Sequence, residues 1–446
     1  MPLNSIAQIT ISLAAVAATR PGFGIPALFT PVTSPQAAAF GADFGKVVTD
    51  ADWQSVLTTL GFTESDDIWG AVSDLFSQQN TVSFALVARR ATPVAQVYTY
   101  VVTSSDDGEY SITLDGQTAS FTASGNTIEE IRDGLSAALA MLANASDFAF
   151  ADVSTDSITA TAASAGLPFT TSVTGPATGD LTQTEDTPNT GISGDIANLR
   201  GQRDDWYAMV DVGHADSDIL AGARTIETLE KFFMAQSSDS DVPNSATDDV
   251  VSVLQAESLV RTAVVYSSNI DQWVDSAWLG ELLPTDPGSN NWAFQTLASV
   301  TGETVTTTEE QNLLAKNACW LERFEALDVS TTREGITPGG QYIDVIRGRD
   351  WLKANMRIDI FEALRQNPKI PYTDEGGEIL GAVVRSRLEQ AADFGLVERD
   401  TIVVTVPRKS AQSAADVSNR YFPGIEFSAT LTGAINSVEV SGSLVP

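Results

Sequence analysis

The 446-residue sequence predicts a multidomain α/β (α+β) protein: a discontinuous α/β core, a small acidic α+β insertion, and extended β arms at both ends. Three observations carry this prediction. Strand-like and helix-like patterns alternate after residue 195, which calls for helices packed on a core sheet. A Thr-, Ser-, Gly- and Asp-rich stretch between about 93 and 194 carries short strands and a helix of its own. Both ends alternate as strands do, Ile9-Thr10-Ile11-Ser12-Leu13 near one terminus and Ser437 to Leu444 at the other.

Taken in order, residues 1–20 read as an extended arm closed by the turn-rich run Arg20-Pro21-Gly22-Phe23-Gly24. Ile68, Val72, Leu75 and Phe76 fall at helical spacing within 66–78, and Ser83 to Ala88 reads as a buried strand. These belong to a first core part, 21–92. The insertion, 93–194, holds strands at Tyr98–Val102, Tyr110–Leu114 and Ala119–Thr122. Asp107-Gly108 and Asp115-Gly116 are placed to turn hairpins between them. A helix over 127–144 follows, with further strands near Ile158 and Phe169. Gly175 to Gly194 reads as an exit linker.

The second core part, 195–435, predicts a strand at Trp206–Val212, a helix at Asp218–Gln236, a strand at Arg261–Ser267 and a helix at Asp271–Leu283. Further on, Asp350 is placed to cap a helix carrying Leu352, Met356, Ile360 and Leu364, which Pro368 stops. A second helix starts near Thr373 and ends at Gly395. Thr401–Val406 reads as a strand, Arg408–Arg420 as a polar, Ala-rich helix, and 436–446 as a terminal strand arm. On that arm Val438, Val440 and Leu444 share one face.

Composition narrows function. The formal charge is −33, with 58 acidic against 25 basic residues, which argues against a nucleic-acid-binding body. It favours solubility and makes self-assembly dependent on salt screening. The charge is uneven: residues 94–190 hold 13 Asp and Glu against Arg132 alone, whereas 344–420 hold 12 of each sign, as a contact surface would. The sole cysteine, Cys319, lies in an apolar pattern read as helical and is expected to be a buried, inert thiol. The N-terminal stretch lacks the basic start of a secretory signal, and no apolar run reaches transmembrane length.

No catalytic constellation emerges. His214, the only histidine, lies in Asp211-Val212-Gly213-His214-Ala215-Asp216 at a strand end. It could join strand-end carboxylates around a metal, or sit in a loop while Asp216 or Ser217 caps the next helix. The lack of a second His or a nearby Cys favours the loop. Asp239, Asp241, Asp248 and Asp249 lack calcium-loop spacing and read as a solvated loop. No phosphate-binding Gly-rich loop is present. Catalytic, cofactor and metal residues are therefore expected to be none.

The run Asn419-Arg420-x-x-Pro423-Gly424-Ile425-x-Phe427-x-Ala429-x-Leu431-x-Gly433-Ala434-Ile435 resembles the C-terminal signature of contractile tail sheath proteins of myovirus-type bacteriophages. Tyr342-Ile343-Asp344, Arg347 to Leu352, Ile370 to Gly376 and Arg261 to Ser267 resemble that family too, in the same order. The resemblance implies a structural subunit, not an enzyme. Such subunits stack into a helical homo-oligomer around a tail tube protein, between baseplate and tail terminator, within a virion assembled in the host cytoplasm. It implies arms that add strands to neighbouring subunits, here Ile9, Ile11 and Leu13 at one end and Val438, Val440 and Leu444 at the other. It also implies a tube-facing helix, best matched by Arg408, Lys409 and Arg420. Neither nucleic acid nor membrane insertion is expected. A tube or surface-array protein, or a hydrolase with an unrecognised site, stands as the alternative.

Overall fold

The computed structural model describes residues 22–91, 94–163, 165, 169–188 and 191–437. The chain opens with β1 (Pro26–Thr30), α1 (Ser34–Phe40), β2 (Gly45–Val48), α2 (Trp53–Thr59), α3 (Asp67–Phe76) and β3 (Ala85–Arg89). The pattern of Ile68, Val72 and Leu75 does what its spacing predicts: all three are fully buried on one face of α3.

Residues beyond β3 form the acidic module: β4 (Val97–Val102), β5 (Gly108–Leu114), β6 (Gln117–Ala123), α4 (Ile128–Leu139), β7 (Phe148–Asp152), β8 (Ser157–Ala162), β9 (Thr171–Thr174) and β10 (Leu181–Thr187). Two sheets, ordered β10-β4-β8-β7 and β6-β5-β9, close with α4 over a separate core that includes Tyr100, Tyr110, Ile112, Leu135 and Ile158. Asp115-Gly116 makes the expected two-residue hairpin turn, with φ of 45° and 78° and Leu114 paired to Gln117. Asp107-Gly108 does not turn a hairpin, because β4 and β5 belong to different sheets. The expected exit linker is largely ordered instead: β10 pairs antiparallel with β4. Its Thr-rich sequence suits a half-exposed edge strand as well as a loop.

The body resumes with α5 (Ile192–Gln202), β11 (Ala208–Asp211), α6 (Asp216–Glu227), β12 (Phe232–Ser237), α7 (Val250–Ala256), β13 (Thr262–Tyr266), α8 (Val274–Leu282), α9 (Thr307–Lys316), β14 (Cys319–Phe324) and β15 (Val329–Arg333). Strands from both sides of the acidic module join one sheet in the order β15-β14-β13-β12-β11-β1-β3-β2. Its interior pairs are parallel, and β2 and β15 run antiparallel at the edges. Alternate residues feed two cores. Leu28, Val87, Val210, Met234 and Val265 face α3 and α8, while Phe29, Leu86, Met209, Phe233 and Val264 face α5, α6 and α7.

Two predicted helices are corrected here. The helix expected over 218–236 ends at Glu227, and Phe232-Phe233-Met234-Ala235 is the central strand β12, buried throughout. A strand covered on both faces is a continuous apolar run, which periodicity cannot separate from a buried helix. Likewise the apolar run 313–321 is split by Asn317 in the left-handed region (φ 56°), so Cys319 begins a strand.

The C-terminal region adds α10 (Ile343–Gln366), α11 (Asp374–Asp393), β16 (Val403–Thr405), α12 (Ala414–Ser418) and β17 (Glu426–Ser428). Trp351, Met356, Val384, Leu388 and Ala391 form a further apolar cluster between α10 and α11. Thr373 caps α11 by accepting the Gly376 N–H, as its sequence position predicts. Asp350 is no cap, since α10 starts two turns earlier at Ile343.

Candidate assembly surfaces

The carboxyl ends of the parallel strands are where a doubly wound sheet usually binds ligands, at the point where strand order reverses. Here that point lies beside β1, with β3 on one side and β11 on the other. Protein fills it. Arg90 follows β3, is 4% exposed, and reaches Asp211 at the end of β11 (3.0 Å) and Asp218 on α6 (2.7 Å).

His214 sits in the β11–α6 loop with φ of 50°, and its Nε2 lies 3.0 Å from fully buried Asp275. Its Nδ1 faces the Gln236 amide at 3.5 Å, and that amide is fixed by the Gln272 carbonyl and the Val274 N–H. The imidazole is thus oriented by neighbours on both sides. Burial opposes its protonation, yet the carboxylates of Asp275, Asp211 and Asp67 outweigh this and hold its pKa above the ordinary value. Among the described residues no group of three His, Cys, Asp or Glu side chains is arranged to hold a metal ion. Asp216 lies in the first turn of α6 and accepts from Ser237 rather than capping the helix. Asp249 is likewise no solvated loop residue: it caps α7 and pairs with buried Lys316 at 2.7 Å.

The joint between α10 and the sheet is polar and closed. Asp350 accepts both Arg261 terminal nitrogens (2.7 and 3.0 Å) and the Tyr207 hydroxyl (3.0 Å). One turn earlier, Arg347 donates to the carbonyls of Leu282, Leu283 and Thr285. Burial lowers its pKa to about 10. Farther along, Lys353 and Arg357 both meet Glu230. The first half of α10 is therefore tied to the body by one charged stripe, while its apolar side faces α11.

A largely exposed surface follows α11. β16 and β17 form a two-stranded antiparallel sheet, pairing Val403 with Ser428 and Thr405 with Glu426. Neither strand has a second neighbour among the described residues, so each keeps an open edge. Val404 and Ile425 pack towards α11, whereas Phe427 and Ile435 are 49% and 80% exposed. Gly377 and Gly381 let this segment lie directly on α11: a Cβ at 381 would come within 2.3 Å of the Val406 side chain.

Arg408, Lys409 and Arg420 are all exposed in this segment, and none forms an ion pair with another described residue. The single helix expected over 408–420 is not formed. A 3-10 turn spans Lys409–Ala411 and α12 is five residues long, begun by Ser413 as its cap. Ser413 interrupts the run by offering its hydroxyl to the Asp416 N–H, a local bond that starts a new helix rather than continuing one. The arm residues Ile9, Ile11, Leu13, Val438, Val440 and Leu444 lie outside the described residues. Sequence reasoning missed the Asp350–Arg261 joint, although both residues fall within the runs quoted for the family resemblance.

Over nearly its whole length the fold is that of contractile sheath proteins. The sheath of an extracellular contractile injection system, the PVC sheath complex in its contracted state, matches with a TM-score of 0.56 and 10% identity. That match covers 98% of this chain and 97% of the other. The helical sheath of the anti-feeding prophage, also contracted, matches with a TM-score of 0.51 and 11% identity over 98% and 99% of the two chains. Residues 343–401, comprising α10, α11 and the turn after them, match the family described as E217 tail sheath protein gp31-like, C-terminal domain. The search of curated proteins finds no match. By fold throughout and by sequence in its C-terminal domain, the chain is like a phage-type contractile tail sheath protein.

Proposed function

We propose that this chain is a structural subunit that polymerises around a tail tube by exchanging strands with its neighbours. Contraction of that polymer drives the tube through a host envelope. The supporting observation is the β16–β17 sheet, whose outer edges have no further strand among the described residues, with Phe427 half exposed on β17. An open edge offers main-chain hydrogen bonds to an added strand, and its exposed apolar side chains offer register. The arms, 1–20 and 436–446, supply the added strands in this reading, through Ile9, Ile11 and Leu13 and through Val438, Val440 and Leu444. The acidic module, 93–194, faces away from the tube, where its charge discourages lateral association. Arg408, Lys409 and Arg420 meet the tube protein. The partners are copies of this chain, the tube, and the baseplate and terminator at the two ends. The place of work is a virion tail assembled in host cytoplasm. No helix among the described residues is long and apolar enough to cross a membrane.

The test is truncation. Deletion of residues 1–16 or 437–446 is expected to leave a folded subunit, by circular dichroism and thermal melt, that forms no tubes in negative-stain micrographs. Normal tubes from either truncated chain would remove the strand-exchange reading.

A further inference from the structure

We propose that the charge cluster at the base of the acidic module is a proton-gated latch, which grips the two ends of that module more firmly as pH falls. The module leaves the body at Ala91 and rejoins it at α5, and both ends meet one guanidinium. Arg90 gives Asp218 a bidentate pair (2.7 and 2.8 Å) and Asp211 a single bond (3.0 Å). Asp195, in the first turn of α5, accepts the Ala91 N–H at 2.9 Å, so outgoing and returning segments are tied directly. Its other oxygen approaches Arg90 Nε no closer than 3.6 Å.

The charges do not balance. One buried arginine faces three carboxylates, two of them 1% exposed. Asp195 Oδ2 and Asp211 Oδ2 accept no hydrogen bond from a described residue, and Arg90 Nε donates none. A buried anion with an unmet oxygen is unfavourable. A proton taken from solvent onto such an oxygen removes one charge and creates a donor, with no other reactant needed.

The surrounding groups supply only part of the missing positive charge: His214, when protonated, opposes protonation of Asp211, and among the described residues no other cation near the cluster adds to Arg90. His214, on the β11–α6 loop, is directed to Asp275 on α8. Asp67 on α3 adds a further carboxylate near that histidine. Asp216 on α6 is committed to Ser237. Burial, against the pull of Arg90, pushes Asp195 and Asp211 each up to about 6. Their folded values lie above the ordinary 3.8, so the folded state holds protons more tightly than the unfolded chain. The latch therefore gains strength as pH falls through about 6 and is weakest above it, where the excess charge stands uncompensated.

Hydrogen exchange on the full chain, at constant ionic strength from pH 5 to 8 and corrected for intrinsic rates, reads the latch at the Ala91 amide. In the wild type, protection of that amide is expected to fall by about tenfold or more as pH rises. This is less than the roughly 100-fold limit that two pKa units set for each carboxyl. In Asp211→Asn the dependence should weaken, leaving only the part carried by Asp195. Asp195→Asn keeps an oxygen for the Ala91 N–H and serves as the second variant if the first does not fold. An infrared carbonyl band from a protonated, buried carboxyl should be present in the wild type near pH 6 and weaker in each variant. Wild-type pH dependence retained in both variants would overturn the proposal. So would protection that follows potassium or sodium concentration at fixed pH, which would make the ligand a metal cation rather than a proton.

Discussion

Replacing Asp350 by Ala isolates the joint that fastens α10 to the sheet. The carboxylate is 2% exposed and receives two charged N–H groups from Arg261 and the hydroxyl of Tyr207. Removing it leaves Arg261 buried with only the Lys231 carbonyl (3.1 Å) and the hydroxyl of Tyr207 without an acceptor. Breaking a buried pair from one side costs about 3–5 kcal/mol, because the remaining charge is uncompensated. The orphaned hydroxyl adds about 1 kcal/mol. Asp350→Ala is therefore expected to lose about 5 kcal/mol in urea unfolding followed by tryptophan fluorescence. Trp206 and Trp351 are the sequence neighbours of Tyr207 and Asp350 and contribute to that signal among the eight tryptophans of the chain. The double variant Arg261→Met with Asp350→Leu should recover most of that loss, since apolar replacement of a buried pair is often neutral. A single-variant loss below about 1 kcal/mol, or a double variant as damaged as the sum of the singles, would refute the reasoning.

Three other outcomes are open to measurement. His214 is the only histidine, so its imidazole gives one unambiguous NMR titration. It should titrate above the ordinary 6.5 in the wild type and lower in Asp275→Asn, which removes the strongest raising partner while burial stays. Because its folded value is raised, its contribution to stability is complete below the unfolded value of 6.5 and is lost as pH rises through the folded one; identical titrations in the two proteins would contradict this. Cys319 is fully buried, and burial pushes its thiol up to about 12, so a thiol reagent should label it only after unfolding. Finally, Lys409→Glu with Arg420→Glu should weaken binding to a tube protein more than subunit–subunit association, with equal loss of both pointing to a role in folding instead.

What could be read from the sequence follows from how far apart interacting residues lie. α3, α4 and α11 were legible because their apolar stripes and caps are local: Thr127 and Glu130 form a reciprocal cap three residues apart, and Thr373 caps α11 from one residue outside it. β12 was illegible because burial on both faces erases the alternation that marks a strand. The charged joints were illegible for a different reason. Asp350 and Arg261 are 89 positions apart, and Arg90 is 121 and 128 positions from Asp211 and Asp218. Nothing within a local window distinguishes such residues from solvated charges, and the local sequence around Asp350 offers it a role as a cap. The exposed β16–β17 segment presents the converse case. Val403 on β16, Phe427 on β17 and Leu431 beyond it are apolar, yet all three are exposed. A sequence pattern that specifies burial, carried by residues the subunit leaves in solvent, is what a surface completed by another chain requires. The mismatch between pattern and exposure agrees with the assembly proposed at this edge, on grounds separate from the fold comparison.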